Sequence, residues 1–171
     1  MVVTNMRLLQ PQDLEVLGDL YFPWSNREET VAKWTGYLDE QQKGARMACI
    51  VEQQGKIVGY GNLLRSSEYP HFKQNGIPEI NDVWVYEESR KKGIATALID
   101  HLEQLAKQEG YTVIGIGVGL YQDYGAAQRL YFRLGYKPDG EGITYKHTAV
   151  MPGEKYPIDD ELILWLTKHL S

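Results

Sequence analysis

The stretch Val83-Trp84-Val85-Tyr86-Glu87-Glu88-Ser89-Arg90-Lys91-Lys92-Gly93-Ile94-Ala95-Thr96 decides how this sequence is read. A β-like run ends near Tyr86, three cations follow in a row, and a glycine then opens an amphipathic segment. A helix start leaves several backbone N–H groups without partners and carries roughly half a positive charge. Phosphate oxygens find donors and a favourable potential there. Gly93 removes a side chain that would hold a phosphate away, and Ala95 keeps the next approach shallow. Arg90, Lys91 and Lys92 add charge, and Thr96 offers a hydroxyl. Two readings stay open: a phosphate cradle, or a solvated basic turn of the kind that charge runs usually form. The Gly-Lys-Ser/Thr ending of a triphosphate loop is absent, so a nucleotide triphosphatase is unsupported.

Working outward, residues 93–108 place Ile94, Ala97, Leu98, Leu102, Leu105 and Ala106 on one helical stripe, with Gly110 as terminator. Residues 79–86 read as the preceding strand. Farther upstream come a short strand at 6–9, a helix opening at Pro11-Gln12-Asp13, and a helix over 26–42. Ser25 or Asn26 caps that helix, Glu28 and Glu29 suit its positive end, and Gly44 ends it. Runs 46–53 and 56–64 form a hairpin around Gln54-Gly55. Residues 65–76, with Pro70, read as a loop long enough to cover a substrate. Downstream lie a strand over 112–121 and a helix over 126–134, with Ala126, Leu130 and Leu134 four apart and Gly135 beyond. On periodicity alone, residues 161–170 fit a helix and a strand equally. The order predicts an α/β or α+β sandwich around a mixed sheet.

At 171 residues and 43% hydrophobic, the chain is expected to form one domain over 1–171. No apolar run approaches the roughly 18 residues of a membrane helix. Met1-Val2-Val3-Thr4-Asn5-Met6-Arg7 lacks the form of a signal peptide. A cytoplasmic location with no membrane partner is the expectation. The net charge of −5 argues against a nucleic-acid partner and is compatible with a cationic amine. The single cysteine, Cys49, lies in the apolar run Met47-Ala48-Cys49-Ile50-Val51, which predicts a buried, inert thiol. His71, His101, His147 and His169 show no ligand spacing, so no metal is expected.

Arg90-x-x-Gly93-x-Ala95 resembles the Gln/Arg-x-x-Gly-x-Gly/Ala signature of the GCN5-related N-acetyltransferase (GNAT) superfamily. Tyr124-Gly125-Ala126-Ala127-Gln128-Arg129-Leu130-Tyr131-Phe132-Arg133-Leu134-Gly135-Tyr136 resembles that family's second signature. Ala127, Tyr131, Gly135 and Tyr136 match it, while Tyr124 stands where asparagine is common. The resemblance implies a mixed, mostly antiparallel central sheet flanked by helices and splayed between its fourth and fifth strands, with 161–170 a strand. It also implies acetyl-CoA as cosubstrate. Its pyrophosphate would lie on Arg90, Lys91, Lys92, Gly93, Ile94, Ala95 and Thr96, and its pantetheine arm along the backbone of Val83, Trp84 and Val85, near Tyr124 and Ala127.

Acetylating an amine requires the amine to lose a proton, the carbonyl oxygen to be stabilised, and the departing thiolate to gain a proton. Tyr131 matches the family's proton donor to sulfur; by spacing alone it is a core aromatic beside Ala127 and Leu134. Glu79 is the candidate base, directly or through water, or else an ordinary strand-edge acid. Asp82 is second, on the opposite strand face from Glu79 unless a bulge intervenes. Amines of lowered pKa need no protein base.

Gly115-Ile116-Gly117-Val118-Gly119 is a strand with three glycines on one face, admitting a helix or coenzyme arm, and is weak as a dinucleotide signature. Tyr121, Tyr124, Tyr131, Tyr136 and Tyr145 suggest an aromatic amine pocket, with Asp139 and Glu141 adding charge from a loop. The expected function is direct transfer from acetyl-CoA to a primary amine of a small molecule or peptide, without an acyl intermediate on Cys49. The rivals are a non-catalytic acyl-CoA sensor of the same fold and an unrelated domain recognising another nucleotide. Oligomeric state is left open, a homodimer included.

Overall fold

A computed structural model describes residues 3–171; Met1 and Val2, at the head of the stretch read for a leader, lie outside the described residues. In chain order the elements are β1 (Thr4–Leu8), α1 (Asp13–Asp19), α2 (Arg27–Gln42), β2 (Arg46–Gln53), β3 (Lys56–Leu64), α3 (Pro70–Gln74) and β4 (Glu79–Val85). Then follow α4 (Ile94–Gln108), β5 (Val113–Gly119), α5 (Gly125–Arg133), β6 (Lys137–Tyr145), β7 (Thr148–Ala149) and β8 (Leu162–His169). The strands form one sheet in the order β1-β2-β3-β4-β5-β8-β6-β7. Every neighbouring pair is antiparallel except β4 and β5. Among the described residues no helix is long and apolar enough to cross a membrane.

Local chemistry sets the element ends. Asn26 caps α2: its side chain accepts from the Glu29 N–H at 2.9 Å, and the Glu29 carboxylate accepts from the Asn26 N–H at 3.0 Å. Ser25 instead bonds the Thr30 hydroxyl at 2.9 Å. The segment 161–170, open on periodicity, becomes β8 because it has partners on both edges, β5 from Val113↔His169 to Gly119↔Ile163 and β6 on the other side.

Helices α4 and α5 cover one face of the sheet and share a core with Leu63, Ile80, Ile114, Ile116, Val118 and Leu166. Helices α1 and α2 cover the β1–β4 half of the other face, where Leu17 and Trp34 pack with Ile50 and Tyr60. Two stripe assignments change. Ala97 is exposed and Ile99 is buried in its stead. Glu103, one turn beyond Ile99, is drawn inward by the Tyr136 hydroxyl at 2.8 Å and Lys168 Nζ at 2.8 Å, which turns that face of α4 down. On α5, Ala126 is exposed while Ala127, Leu130, Tyr131 and Leu134 meet the core.

Two loop readings also change. Residues 65–76 contain α3, with a proline in its first turn and Phe72 fully buried beneath it, so this segment is pinned to the sheet. Asp139 and Glu141 lie in β6, not in a loop. Gly140 and Gly142, at φ +93° and +77°, disturb its pairing between Pro138 and Ile143, which makes the sequence look loop-like.

Phe72 packs where a Gly115 side chain would be: a Cβ there would fall 2.1 Å from its ring. Gly115→Ala should therefore cost about 1–3 kcal/mol in urea unfolding through overpacking. In the double variant with Phe72→Leu, the cost of the alanine should shrink; equal costs in both backgrounds would show that this contact is not the cause.

Candidate active site

The central feature is where two parallel strands part. β4 and β5 pair only at Glu79↔Gly115 and Ile80↔Ile116. On the other edge of β4, Asn62 faces Asn81 and Tyr60 faces Trp84, so β4 spends three steps where β3 spends two. The extra residue is a bulge, and Asp82 adopts φ +49° within it. Beyond the bulge, the edge of β4 through Val83, Trp84 and Val85 has no partner on β5, while Gly117 and Gly119 pair with β8. The result is the splay expected between the fourth and fifth strands, lined by two rows of backbone groups.

The turn from β4 into α4 has a definite construction. Arg90 Nε donates to the Val85 carbonyl at 2.8 Å, and Lys92 Nζ donates to the Glu88 carbonyl at 2.8 Å. Two of the three cations thus fold the loop on itself. Lys91 and Gly93 take φ +61° and +79°. The backbone of Gly93 favours glycine by its φ alone, and nothing lies within 4 Å of a Cβ built on it, so the space beside it is open. Among the described residues, none of the six N–H groups from Lys91 to Thr96 has an acceptor; the helix ladder begins with the Ala97 N–H to the Gly93 carbonyl at 3.0 Å. Free amides at the positive end of a 15-residue helix offer donors of the kind that suit an anion.

Tyr131 is buried in the α4–α5 core, its ring 6.2 Å from that of Tyr136. Burial pushes its phenol up to about 12, so it is protonated at neutral pH. Among the described residues its hydroxyl has no hydrogen-bond partner. Tyr124 is differently engaged: its hydroxyl donates to Asp160 at 2.8 Å and its ring packs on Gly119. The clustered tyrosines divide among separate carboxylates, Tyr121 and Tyr124 on Asp160, Tyr136 on Glu103 and Tyr145 on Asp159. They do not form the shared pocket suggested by their numbers. Cys49 is fully buried and its thiol is pushed up to about 12 by that burial.

Glu79 lies on the α2 side of the sheet at 5% exposure. The Ser67 hydroxyl donates to Oε2 and Asn81 Nδ2 donates to Oε1 at 3.1 Å. Burial raises its pKa; the bonds from Ser67 and Asn81 and the charges of His147 and Arg46 oppose this without cancelling it. From Asn81 a chain of contacts continues. Arg46 Nη1 lies 3.4 Å from Asn81 Oδ1, and its guanidinium stacks 3.8 Å over Tyr37. The Tyr37 hydroxyl donates to Asp82 at 2.9 Å, and Lys33 Nζ meets the same carboxylate at 2.6 Å. The bulge thus joins Asp82 to the network that begins at Glu79, the exception to strand alternation.

Arg46, Tyr37, Lys33 and Ser67 escaped sequence reasoning because they come from β2, α2 and the β3–β4 connection, with no local signal linking them. Asn81 was missed as well, although strand alternation, which puts it on the same face as Glu79, was the signal that could have found it. Among the described residues, no group of three His, Cys, Asp or Glu side chains could hold a metal ion.

A parallel pair that parts at a bulge, beside a helix start with unengaged amides, defines an acyltransferase-type α/β fold. Residues 12–136 match the sequence model described as the Acetyltransferase (GNAT) family, and the chain belongs to that family. N-acetyltransferase 8 of Rattus norvegicus is 30% identical over 107 residues, a match spanning 63% of this chain and less than half, 45%, of that relative. An N-acetyltransferase from Staphylococcus aureus Mu50 superposes with a TM-score of 0.70 at 18% identity, covering 99% of each chain. Spermidine N-acetyltransferase from Vibrio cholerae, solved with CoA and spermine, superposes at 0.68 with 18% identity, covering 98% of this chain and 95% of that one.

Because Glu79 holds its proton more tightly folded than unfolded, its ionisation works against the fold. As pH rises from the ordinary value of 4.5 through the raised folded value, the unfolded chain releases this proton first and stability falls. Glu79→Gln removes that loss. Its stability relative to the parent should climb as pH rises across this window in urea titrations; a pH-independent difference would refute the raised value.

Proposed function

We propose that this protein moves the acetyl group of acetyl-CoA directly onto a primary amine of a small molecule or peptide, acting in the cytoplasm as a single domain. The observation that carries this reading is the run of acceptor-free amides from Lys91 to Thr96 beside the opening between β4 and β5. Those amides suit a diphosphate, with Lys91 the cation of the loop not folded back onto a carbonyl. The coenzyme's amide-containing arm suits the edge of β4 through Val83, Trp84 and Val85 that β5 leaves without a partner strand, the Val85 carbonyl itself being taken by Arg90, and passes Ala127 of α5. Tyr124 serves as packing at the end of β5 and not as a polar contact, since Asp160 takes its hydroxyl.

In this reading the neutral amine attacks the thioester carbon from the α2 side. The C–N bond forms, the C–S bond breaks, and Tyr131 protonates the departing sulfur from the α5 side. The amine proton passes to Glu79, whose desolvation favours proton uptake, by way of water. Cys49, buried and protonated, is unsuited to carrying the acyl group, which supports direct transfer. The amine ligand of the Vibrio cholerae enzyme is consistent with an amine acceptor here.

Acetyl-CoA at about a hundred times its Kd should stabilise the protein by about 2.7 kcal/mol. Gly93→Glu, which puts a carboxylate at the anion site in a strained backbone, should abolish that protection. If protection persists, the loop is not the binding site. Tyr131→Phe should keep the protection while kcat falls about a hundredfold. A panel of amines assayed for acetylated product separates an enzyme from a coenzyme sensor. An unchanged pH–rate profile in Glu79→Gln would exclude that residue as the base.

A further inference from the structure

Lys33, on α2, has its ammonium 2.6 Å from Asp82 Oδ2 and 3.5 Å from the Tyr60 hydroxyl. The ring centres of Trp34, Tyr37 and Tyr60 lie 5.7, 5.5 and 5.1 Å from the same nitrogen. These walls are held firmly. Trp34 and Tyr60 are each 1% exposed and meet edge to face at 4.8 Å; Tyr37 meets Trp34 edge to face at 5.4 Å. Tyr37 also holds Asp82 in place through its hydroxyl. Three aromatic rings and one carboxylate around a nitrogen are the arrangement that binds an alkylammonium ligand. Here the ammonium belongs to the chain. The adjoining crevice, lined by Phe22, Trp24, Ser25, Thr30 and Lys33, holds only about 10 Å³, so little space remains beside it.

The box has a telling position. Asp82 is the bulged residue, placed where β4 leaves β5, so the box sits on the α2 side of the opening. Arg46, stacked on Tyr37 and ion-paired with Glu40 at 2.6 Å, closes the same wall. We propose that Lys33 is a specificity-determining residue: its ammonium fills a cation-binding box beside the opening and bars an acceptor from placing a second positive charge there. The consequence for acceptor choice rests on the acetyltransferase reading above; the box and its occupant do not. The favoured acceptor is then an amine whose remainder is neutral or anionic, in contrast to a polyamine. The overall charge of −5 is compatible with cationic substrates in general; what opposes one here is the filling of the box by the chain's own ammonium.

The test is calorimetric titration with tetramethylammonium, a cation that cannot be acetylated, against the parent, Lys33→Ala and Lys33→Arg. Alanine is the best helix former and Lys33 is part-exposed, so the helix should tolerate the exchange. Lys33→Ala should bind the probe at least about tenfold more tightly than the other two forms. In turnover, its ratio of diamine to monoamine kcat/KM should rise by a similar factor. Binding no tighter than the parent would overturn the box. Tighter binding with an unchanged diamine to monoamine ratio would overturn the specificity role. Should no form acetylate any amine, the acetyltransferase reading fails, while the titration still decides the box.

Discussion

The rest of the site depends on a hydrogen-bond ladder that stops after two residue pairs. Glu79 and Ile80 pair with Gly115 and Ile116, and then the extra residue at Asp82 tilts β4 away. Backbone amides and carbonyls left without partners are costly when buried, so a parted pair persists only where solvent or a ligand can reach its edges. The αL backbone of Asp82 is itself unfavourable for a residue with a side chain. Tyr37 and Lys33 grip its carboxylate and hold that conformation from the α2 side. The opening is therefore a product of local strain anchored by a distant helix.

The two faces of the sheet divide the chemistry between them. On one face, α4 presents free amides and α5 presents Tyr131 in an apolar core. On the other, Glu79, Asn81, Arg46, Tyr37, Asp82 and Lys33 form a continuous polar wall. The opening between β4 and β5 is where these environments meet. That separation suits a reaction in which an anionic coenzyme and an amine approach one carbonyl from different sides. It also allows Glu79 to be desolvated while the turn from β4 into α4 stays exposed.

Much of this was legible in the sequence, for identifiable reasons. The helix at Ile94 and the glycine before it follow from periodicity and from a conformation that only glycine adopts cheaply. The hairpin at Gln54-Gly55 and the α2 cap are equally local, being set by residues within three positions of each other. β8 had no local signature, because its strand character comes from partners far away in the chain. α3 was hidden because one short turn with a proline resembles a loop until Phe72 is seen on Gly115. The bulge at Asp82 entered the sequence reading only as a condition on that residue's face, for a similar reason: nothing local in 79–86 fixes an extra residue, and the register against β3 decides it. The polar wall was the least readable part, since its members meet only after the sheet has assembled.

Seen along its strands, the sheet is two four-stranded blocks, β1 to β4 and then β5, β8, β6 and β7, stitched together by a short seam. The core beneath α4 spans both blocks, with Leu98 and Leu102 sharing a cluster with Leu63 on one side and Ile116 on the other. Side chains therefore bind the blocks together more than hydrogen bonds do. The gap is a missing run of rungs and not a hollow among side chains, so substitutions along its walls alter what it admits more readily than how wide it is. A coenzyme arm lying in it would supply those rungs, and the eight strands would then form a continuous ladder only in the liganded protein.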